Sequence, residues 1–365
     1  MHGKRAVGAS EGSAGEAARE VLTYGNAVDA VVAGVLVAAA ETPSVFLGPV
    51  QLLLGGHGAG LRAVDGRVRQ PGRGMSRPRG VPAGESVPAP AWVGVPALPG
   101  ALALAVASLG SVGLSKLSRA AVAYAKEFSA ERSAVLAAFA GQAAAAMVDD
   151  AIAGELTAVA GRSVGGALTR EDLAAVRPVA TACDERSLSE DAVLRVPWKQ
   201  KPCDGSNTQV IAAADAGGLV ALACYESGMD GLAIASLGLV APPFAAPVRR
   251  REVRVRPGEA RPAAAPIALR APHGLPDLAL GLAATVHAEV MLDEILAALR
   301  DSPSQVVRAL SATSGELERC RKALPSSMGE LEGGRKAPPS SMEGRSVAVV
   351  CASNAAALAG RDRDG

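Results

Sequence analysis

Large rings are scarce in this chain. Trp, Tyr and Phe together make up 2% of its 365 residues, so the core cannot be built on ring stacks and must come from Ala, Val and Leu, which dominate a hydrophobic fraction of 49%. Such a core packs through many small side chains. Surplus charge is missing too. With 37 basic against 36 acidic residues the formal net charge is +1, which supplies no global field to attract nucleic acid or an anionic membrane. The expected partner is therefore a small-molecule substrate or another protein. Paired cysteines are absent: Cys183, Cys203, Cys224, Cys320 and Cys351 are odd in number and widely spaced, which excludes the C-x-x-C arrangement of zinc and dithiol sites. Single buried thiols are the expectation. The most apolar early run falls short of the ~18 uncharged residues of a membrane span. The most apolar stretch, Ala27 to Glu41, carries Asp29 and ends on an acid, and reads as a buried helix. The first twenty residues hold no apolar segment of the length a secretory signal needs, so cytoplasmic residence is expected.

What is present is organised by periodicity. Ser13 to Leu22 has helical spacing, and a Gly-Asn turn separates it from the apolar Ala27 to Ala40 run, predicting two helices. "VQLLLGGHGAGLRAVDGRVRQPG" predicts strand, glycine-rich turn, strand, with Asp65-Gly66 a possible hairpin signal. Residues 70–91, rich in Pro, Gly and Arg, read as a loop. Gly100 to about Ala160 is Ala-rich and helical, and Thr169 followed by Asp172 is an acidic variant of a capping pattern. "TQVIAAADAGGLVALACYES" predicts two apolar strands around Ala216-Gly217-Gly218, "REVRVRPG" a half-exposed strand, Leu278 to Leu299 a helix and "SVAVVCA" a last strand. The imperfect tandem repeat starting at Arg321 and Arg335 is too rich in Pro, Ser and Gly to bury a face. Residues 318–345 are accordingly read as a disordered insertion. The layer order suits sheets flanked by helices, although periodicity leaves the topology open.

Several stretches carry a resemblance. Gly25, Asn26, Ala27, Val28, Asp29 and Ala30, followed by a buried Ala/Val helix, reproduce without a gap a signature of the gamma-glutamyltransferase family. "WVGVPALPGALALAVASLG", "LTREDLAAVRPV" and "PGEARPAAAPIAL" are similar, in the same order, to three later family segments. The resemblance implies an α+β fold, a four-layer αββα sandwich of the N-terminal-nucleophile hydrolase type. It further implies a precursor that cleaves itself before a Thr, so that 1–207 and 208–365 would be large- and small-subunit-like parts of a single domain. No metal or organic cofactor is implied. The chain is shorter than is usual in that family, and the shortening falls between Pro178 and Asn207.

A hydroxyl becomes a competent nucleophile only when a base takes its proton, and an N-terminal Thr uses its own α-amine, with an unperturbed pKa of about 7.7 to 8.0. Thr208 suits that role: Asn207 precedes it and the apolar "VIAAA" follows. Placing it at the family's nucleophile requires a one-residue shortening of the following turn, since an ungapped register brings Asn207 there. The plainer reading is a Thr that merely starts a strand. Arg67 falls where the family has an Arg that grips a substrate carboxylate, for which a guanidinium fork is suited; otherwise it is an exposed hairpin Arg crowded by Arg62, Arg69 and Arg73.

Other family features are altered here. "APHG" stands where the family has Ser-Pro-Gly-Gly, so Gly274 keeps one oxyanion-stabilising position while His273 replaces the other Gly. Ala263 and Ala264 replace a Ser pair, and "LVAPPFAAP" replaces the segment holding the Asp that binds a substrate amino group. These changes argue against an ordinary γ-glutamyl donor. Two functions stay open: an enzyme on a small amino-acid-derived metabolite, or an inactive fold kept for binding or scaffolding. His287-Ala288-Glu289 lacks the Pro-Cys-x-x-Cys of zinc deaminases, "GGHGAG" lacks phosphate-loop spacing, Cys203 has no basic partner in view, and "RRREVRVR" reads as a solvated face.

Overall fold

The computed structural model describes residues 5–56, 58–75, 80–82, 84–188, 191–201, 207–250, 252–272, 276, 278–283, 292 and 347–352. In chain order, β1 (Ala6–Ala9) leads into α1 (Gly12–Val21) and α2 (Ala27–Glu41), and β2 (Val50–Gly56) and β3 (Gly60–Gly66) form a hairpin. A helical middle follows: α3 (Leu98–Leu109), α4 (Leu114–Leu117), α5 (Arg119–Ala125), α6 (Ala130–Gln142), α7 (Asp150–Ala160) and α8 (Arg170–Ala175). Strands then return as β4 (Val179–Ala182), β5 (Asp184–Leu188), β6 (Asp191–Arg195), β7 (Thr208–Ala214), β8 (Leu219–Glu226), β9 (Leu232–Ile234) and β10 (Leu239–Ala241). The last described are β11 (Ile267–Pro272), β12 (Leu278–Ala283) and β13 (Val347–Ala352).

Every residue of α2 from Ala27 to Ala40 is buried. Val is an indifferent helix former, so burial and capping hold this helix. The Asn26 side chain accepts from the Val28 and Asp29 amides at 2.9 and 3.1 Å. Asp29 reciprocates by accepting from the Asn26 amide at 2.9 Å, which completes a capping box and satisfies donors that have no partner within the helix. The same carboxylate accepts from the Ser111 amide and hydroxyl and from the Val112 amide, joining the turn after α3 to the start of α2. At the far end, Pro43 disfavours helix at Thr42. The buried Arg132 donates to the carbonyls of Ala40 and Glu41 at 2.7 and 2.8 Å, placing a cation at the negative end of the helix. The Gly-Asn-Ala-Val-Asp-Ala signature is thus a structural staple.

The first sheet has six strands in the order β1-β7-β8-β2-β3-β4, and the second five in the order β13-β12-β11-β6-β5. A short ribbon pairs β9 with β10. Side chains alternate between faces along a strand, and the two cores follow from that alternation. Ile211, Ala213, Ala221, Ala223 and Tyr225 pack under α1 and α2. Val210, Ala212, Ala214, Val220, Leu222 and Cys224 face Ile267, Leu269 and Ala279 of the second sheet. Helices, sheet and sheet therefore stack as the α+β sandwich requires.

Both helices at the N-terminus, the β7–β8 hairpin and the final strand stand where periodicity predicts them, as does the capping box of Thr169 and Asp172 on α8. Other expectations need correction. Leu278 to Ala283 is strand β12, because it lies between β11 and β13 in a sheet buried on its inner face; continuous apolar runs of this length do not distinguish strand from helix. Of the rest of that expected helix only Leu292 is among the described residues, where it is helical and buried. "REVRVRPG" forms no strand among its described residues. Asp65 and Gly66 end β3 and are not a turn; the hairpin turns through Gly58 and Ala59. The segment between Pro178 and Asn207 supplies β4, β5 and β6. Residues 318–345 lie outside the described residues.

Gly34 gives a test of packing against propensity. A Cβ there would stand 2.2 Å from the Ile211 Cδ1 and 2.8 Å from the Ala14 carbonyl oxygen, so Gly34→Ala is expected to destabilise by about 1–3 kcal/mol in urea unfolding, although helix propensity alone favours Ala by about 1 kcal/mol. Asp29→Ala, which orphans three amides and a hydroxyl, is expected to lose at least about 3 kcal/mol by the same measurement.

Candidate active site

Thr208 opens β7 and pairs directly with Glu226, the last residue of β8. The neighbouring ladder bond runs from the Ser227 amide to the Asn207 carbonyl at 2.8 Å. The Thr208–Glu226 pair is therefore of the non-hydrogen-bonded kind, in which opposed side chains approach most closely. The Thr208 Oγ1 indeed lies 3.4 Å from the Glu226 Oε1. Thr208 is two residues before Val210, so it shares the inter-sheet face, and it is 1% exposed. Ser227 is held in turn by Glu11, which accepts from its hydroxyl at 2.7 Å and from the Tyr225 hydroxyl at 2.6 Å. Burial and then the Glu11 carboxylate push the Tyr225 phenol well above its ordinary value, so it serves as a fixed donor.

Polar groups continue across the same face. Cys224 pairs with Gln51, and Gln51 with Asp65. Gln51 Nε2 donates to the Ala264 carbonyl at 2.7 Å, Cys224 Sγ contacts that oxygen at 3.6 Å, and the Trp198 indole N–H donates to Gln51 Oε1. Trp198 also lies under the Arg67 guanidinium, 4.8 Å from ring centre to Cζ, a cation–π contact. Arg67 is buried rather than an exposed hairpin residue. Its Nε and Nη2 donate to the two Asp65 oxygens at 2.9 and 2.8 Å, and Arg69 reaches the same carboxylate at 3.0 Å. Burial raises the Asp65 carboxyl, but the Arg67 hydrogen bonds and the charges of Arg69 and Arg67 together outweigh it and hold the group below its ordinary value.

The sequence candidates thus occupy one end of the inter-sheet face at different strands. Thr208 and Asn207 stand at the head of β7; Arg67 follows β3, three strand spacings away, roughly 14 Å at about 4.8 Å per strand. Gly274, His57, Cys203 and His287 lie outside the described residues. Ala263 and Ala264 line the site through their backbone, since the Ala263 carbonyl accepts from the Lys201 amide at 3.1 Å and that of Ala264 from Gln51. Glu226, Ser227, Gln51 and Trp198 escaped the reading of the sequence. Glu226 had a signal: a hairpin centred on Gly217 places residue 226 opposite residue 208. Cys183 is partly buried, and desolvation pushes its thiol up to about 12, which makes it a poor nucleophile. Among the described residues no cluster of His, Cys, Asp or Glu is arranged to hold a metal, and no single helix is long and apolar enough to cross a membrane. Cavities of about 230 and 320 Å³ lie beside Arg69, Arg73 and Arg177 and beside Gln70, Met75 and Arg254; Thr208 lines neither.

No protein-family model and no curated protein matches the chain. Solved structures do. The cephalosporin acylase from Bacillus halodurans is similar over 82% of this chain and 81% of that one, with 15% identity and a TM-score of 0.67. LmbA2991HD is similar over 82% of each chain, with 16% identity and a TM-score of 0.62. A gamma-glutamyltranspeptidase from Pseudomonas nitroreducens aligns over 52% of this chain and 69% of its own at a TM-score of 0.45, too partial a likeness to carry weight. At these identities what is shared is the fold. The chain has an α+β fold of the N-terminal-nucleophile hydrolase type.

The Asp65 cluster generates a pH test. Because the folded carboxyl titrates below its unfolded counterpart, its contribution is complete above the ordinary carboxylate range and is lost as pH falls through the folded value. Asp65→Asn is expected to flatten the acid limb of a plot of urea midpoint against pH. At neutral pH it should also cost about 3–5 kcal/mol, since Arg67 is left buried without its partner.

Proposed function

We propose that the chain is an N-terminal-nucleophile amidohydrolase or acyltransferase. Thr208, freed by self-cleavage after Asn207, attacks an amide or related acyl bond of a small amino-acid-derived metabolite in the cytoplasm. Residues 1–207 and 208–365 are then the large- and small-subunit-like parts of one domain. The Gly274 amide helps to stabilise the oxyanion, and Arg67 holds a substrate carboxylate through the Nη1 and Nη2 hydrogens that Asp65 does not take. No metal or organic cofactor takes part. One observation carries this reading: a Thr heads a strand on the inter-sheet face, opposite a carboxylate, with the carbonyl before it already held by an amide.

A second reading, an inactive fold with a binding or scaffolding role, is favoured by Arg67. The Nε–Nη2 edge of its guanidinium already holds Asp65, and the neighbouring Ala263 and Ala264 offer no hydroxyl to a substrate. Intact mass after expression separates the two. The enzyme is expected as two fragments parted before Thr208, with Thr208→Ala remaining a single chain. A wild-type protein that stays whole sinks the nucleophile, and a Thr208→Ala chain that still splits there removes Thr208 from it.

A further inference from the structure

Once Thr208 is N-terminal, its amine can act as the base. Before cleavage that nitrogen belongs to the Asn207–Thr208 amide and is not basic, so the first cut requires another proton acceptor. We infer that Glu226 is the base of self-cleavage, an inference that rests on the nucleophile reading above. Its Oε1 lies 3.4 Å from the Thr208 Oγ1, just beyond ordinary hydrogen-bond reach and of the kind that tightens along a reaction path. The strand register, rather than a flexible side chain alone, sets this approach: residues 208 and 226 are a directly opposed, non-hydrogen-bonded pair. The residue after Glu226 completes the arrangement. The Ser227 amide donates to the Asn207 carbonyl at 2.8 Å, where negative charge develops when the carbonyl carbon is attacked, and Glu11 holds Ser227 through its hydroxyl.

The step balances as an N-to-O acyl shift followed by hydrolysis. Glu226 takes the proton from the Thr208 hydroxyl as Oγ1 bonds to the Asn207 carbonyl carbon. The oxyanion is stabilised by the Ser227 amide. Glu226 then returns the proton to the Thr208 nitrogen as the carbon–nitrogen bond breaks, leaving an ester and a free amine. Water hydrolyses the ester, giving an Asn207 carboxylate and restoring the hydroxyl. Two adjacent residues on β8 and its exit thus equip the bond that β7 presents.

The test follows cleavage of full-length protein by intact mass over time. Glu226→Gln, nearly isosteric, is expected to slow the appearance of the two fragments by about 10²- to 10⁴-fold, with circular dichroism and melting unchanged in kind. In Glu226→Ala, added formate is expected to restore part of the rate, a rescue that a purely structural role for Glu226 would not give. Glu226→Asp, which keeps a shorter carboxylate, should fall between wild type and Glu226→Gln, and provides the comparison if the other variants fail to fold. Wild type, Glu226→Gln and Glu226→Asp splitting at equal rates would overturn the base and leave the Thr208 nucleophile standing. A wild-type chain that never splits removes both.

Discussion

The Asp215 carboxylate ties the hairpin that carries the candidate nucleophile to the helix on which the first sheet is packed. One of its oxygens accepts from the amides of Gly217 and Leu219, closing the β7–β8 turn at 2.8 and 3.1 Å. The other accepts from the Ala27 amide at the head of α2 at 3.2 Å. A buried helix start has donors that must find acceptors, and here Asn26, Asp29 and Asp215 share them. The hairpin register is set at the turn. Through that register, a bond at one end of β7 decides which residue faces Thr208 at the other end.

The two faces of the first sheet divide the labour. Its helix side is closed by α1 and α2, with Gly34 allowing backbone-close contact and Arg132 covering the helix end. Its inter-sheet side is apolar along β7 and β8 until the last residue pairs, where Thr208, Glu226, Gln51, Asp65 and Arg67 replace Ala, Val and Leu. Polar groups buried so near an apolar core must be partnered. Asp65 meets this with two arginines, Gln51 with Ala264 and Trp198. That satisfaction bears on function. A guanidinium engaged by a neighbouring carboxylate is a rigid support for the site wall as well as a candidate grip, and the same contacts serve both roles.

Much of the framework was legible in the sequence. The Thr169 cap is local: donor, acceptor and spacing all lie within four residues, so reading it needs no tertiary information; the Asn26 cap, equally local, was read only as a Gly-Asn turn. The β7–β8 hairpin was legible for the same reason, a Gly pair between two apolar runs. Leu278 to Ala283 was misread because "LALGLA" contains no periodic signal; only its pairing with β11 and β13 makes it a strand. β5 and β6 were missed because their polar residues obscure the alternation, and the Val- and Arg-rich "REVRVRPG" was over-read, since alternation alone does not make a strand and its described residues form none.

What the sequence by itself determined is therefore a set of local commitments: a buried Ala/Val helix, its caps, a hairpin, an apolar core of small side chains and a Thr at the head of a strand. Tertiary structure decided what gathers around the hairpin that carries that Thr. The Trp198 ring against Arg67, the Gln51 amide on the Ala264 carbonyl and the Glu11 carboxylate on Ser227 all join residues distant in the chain. Periodicity reports which face of an element is apolar, whereas chemistry depends on which elements become neighbours, and that is settled only when the sheets pair and stack.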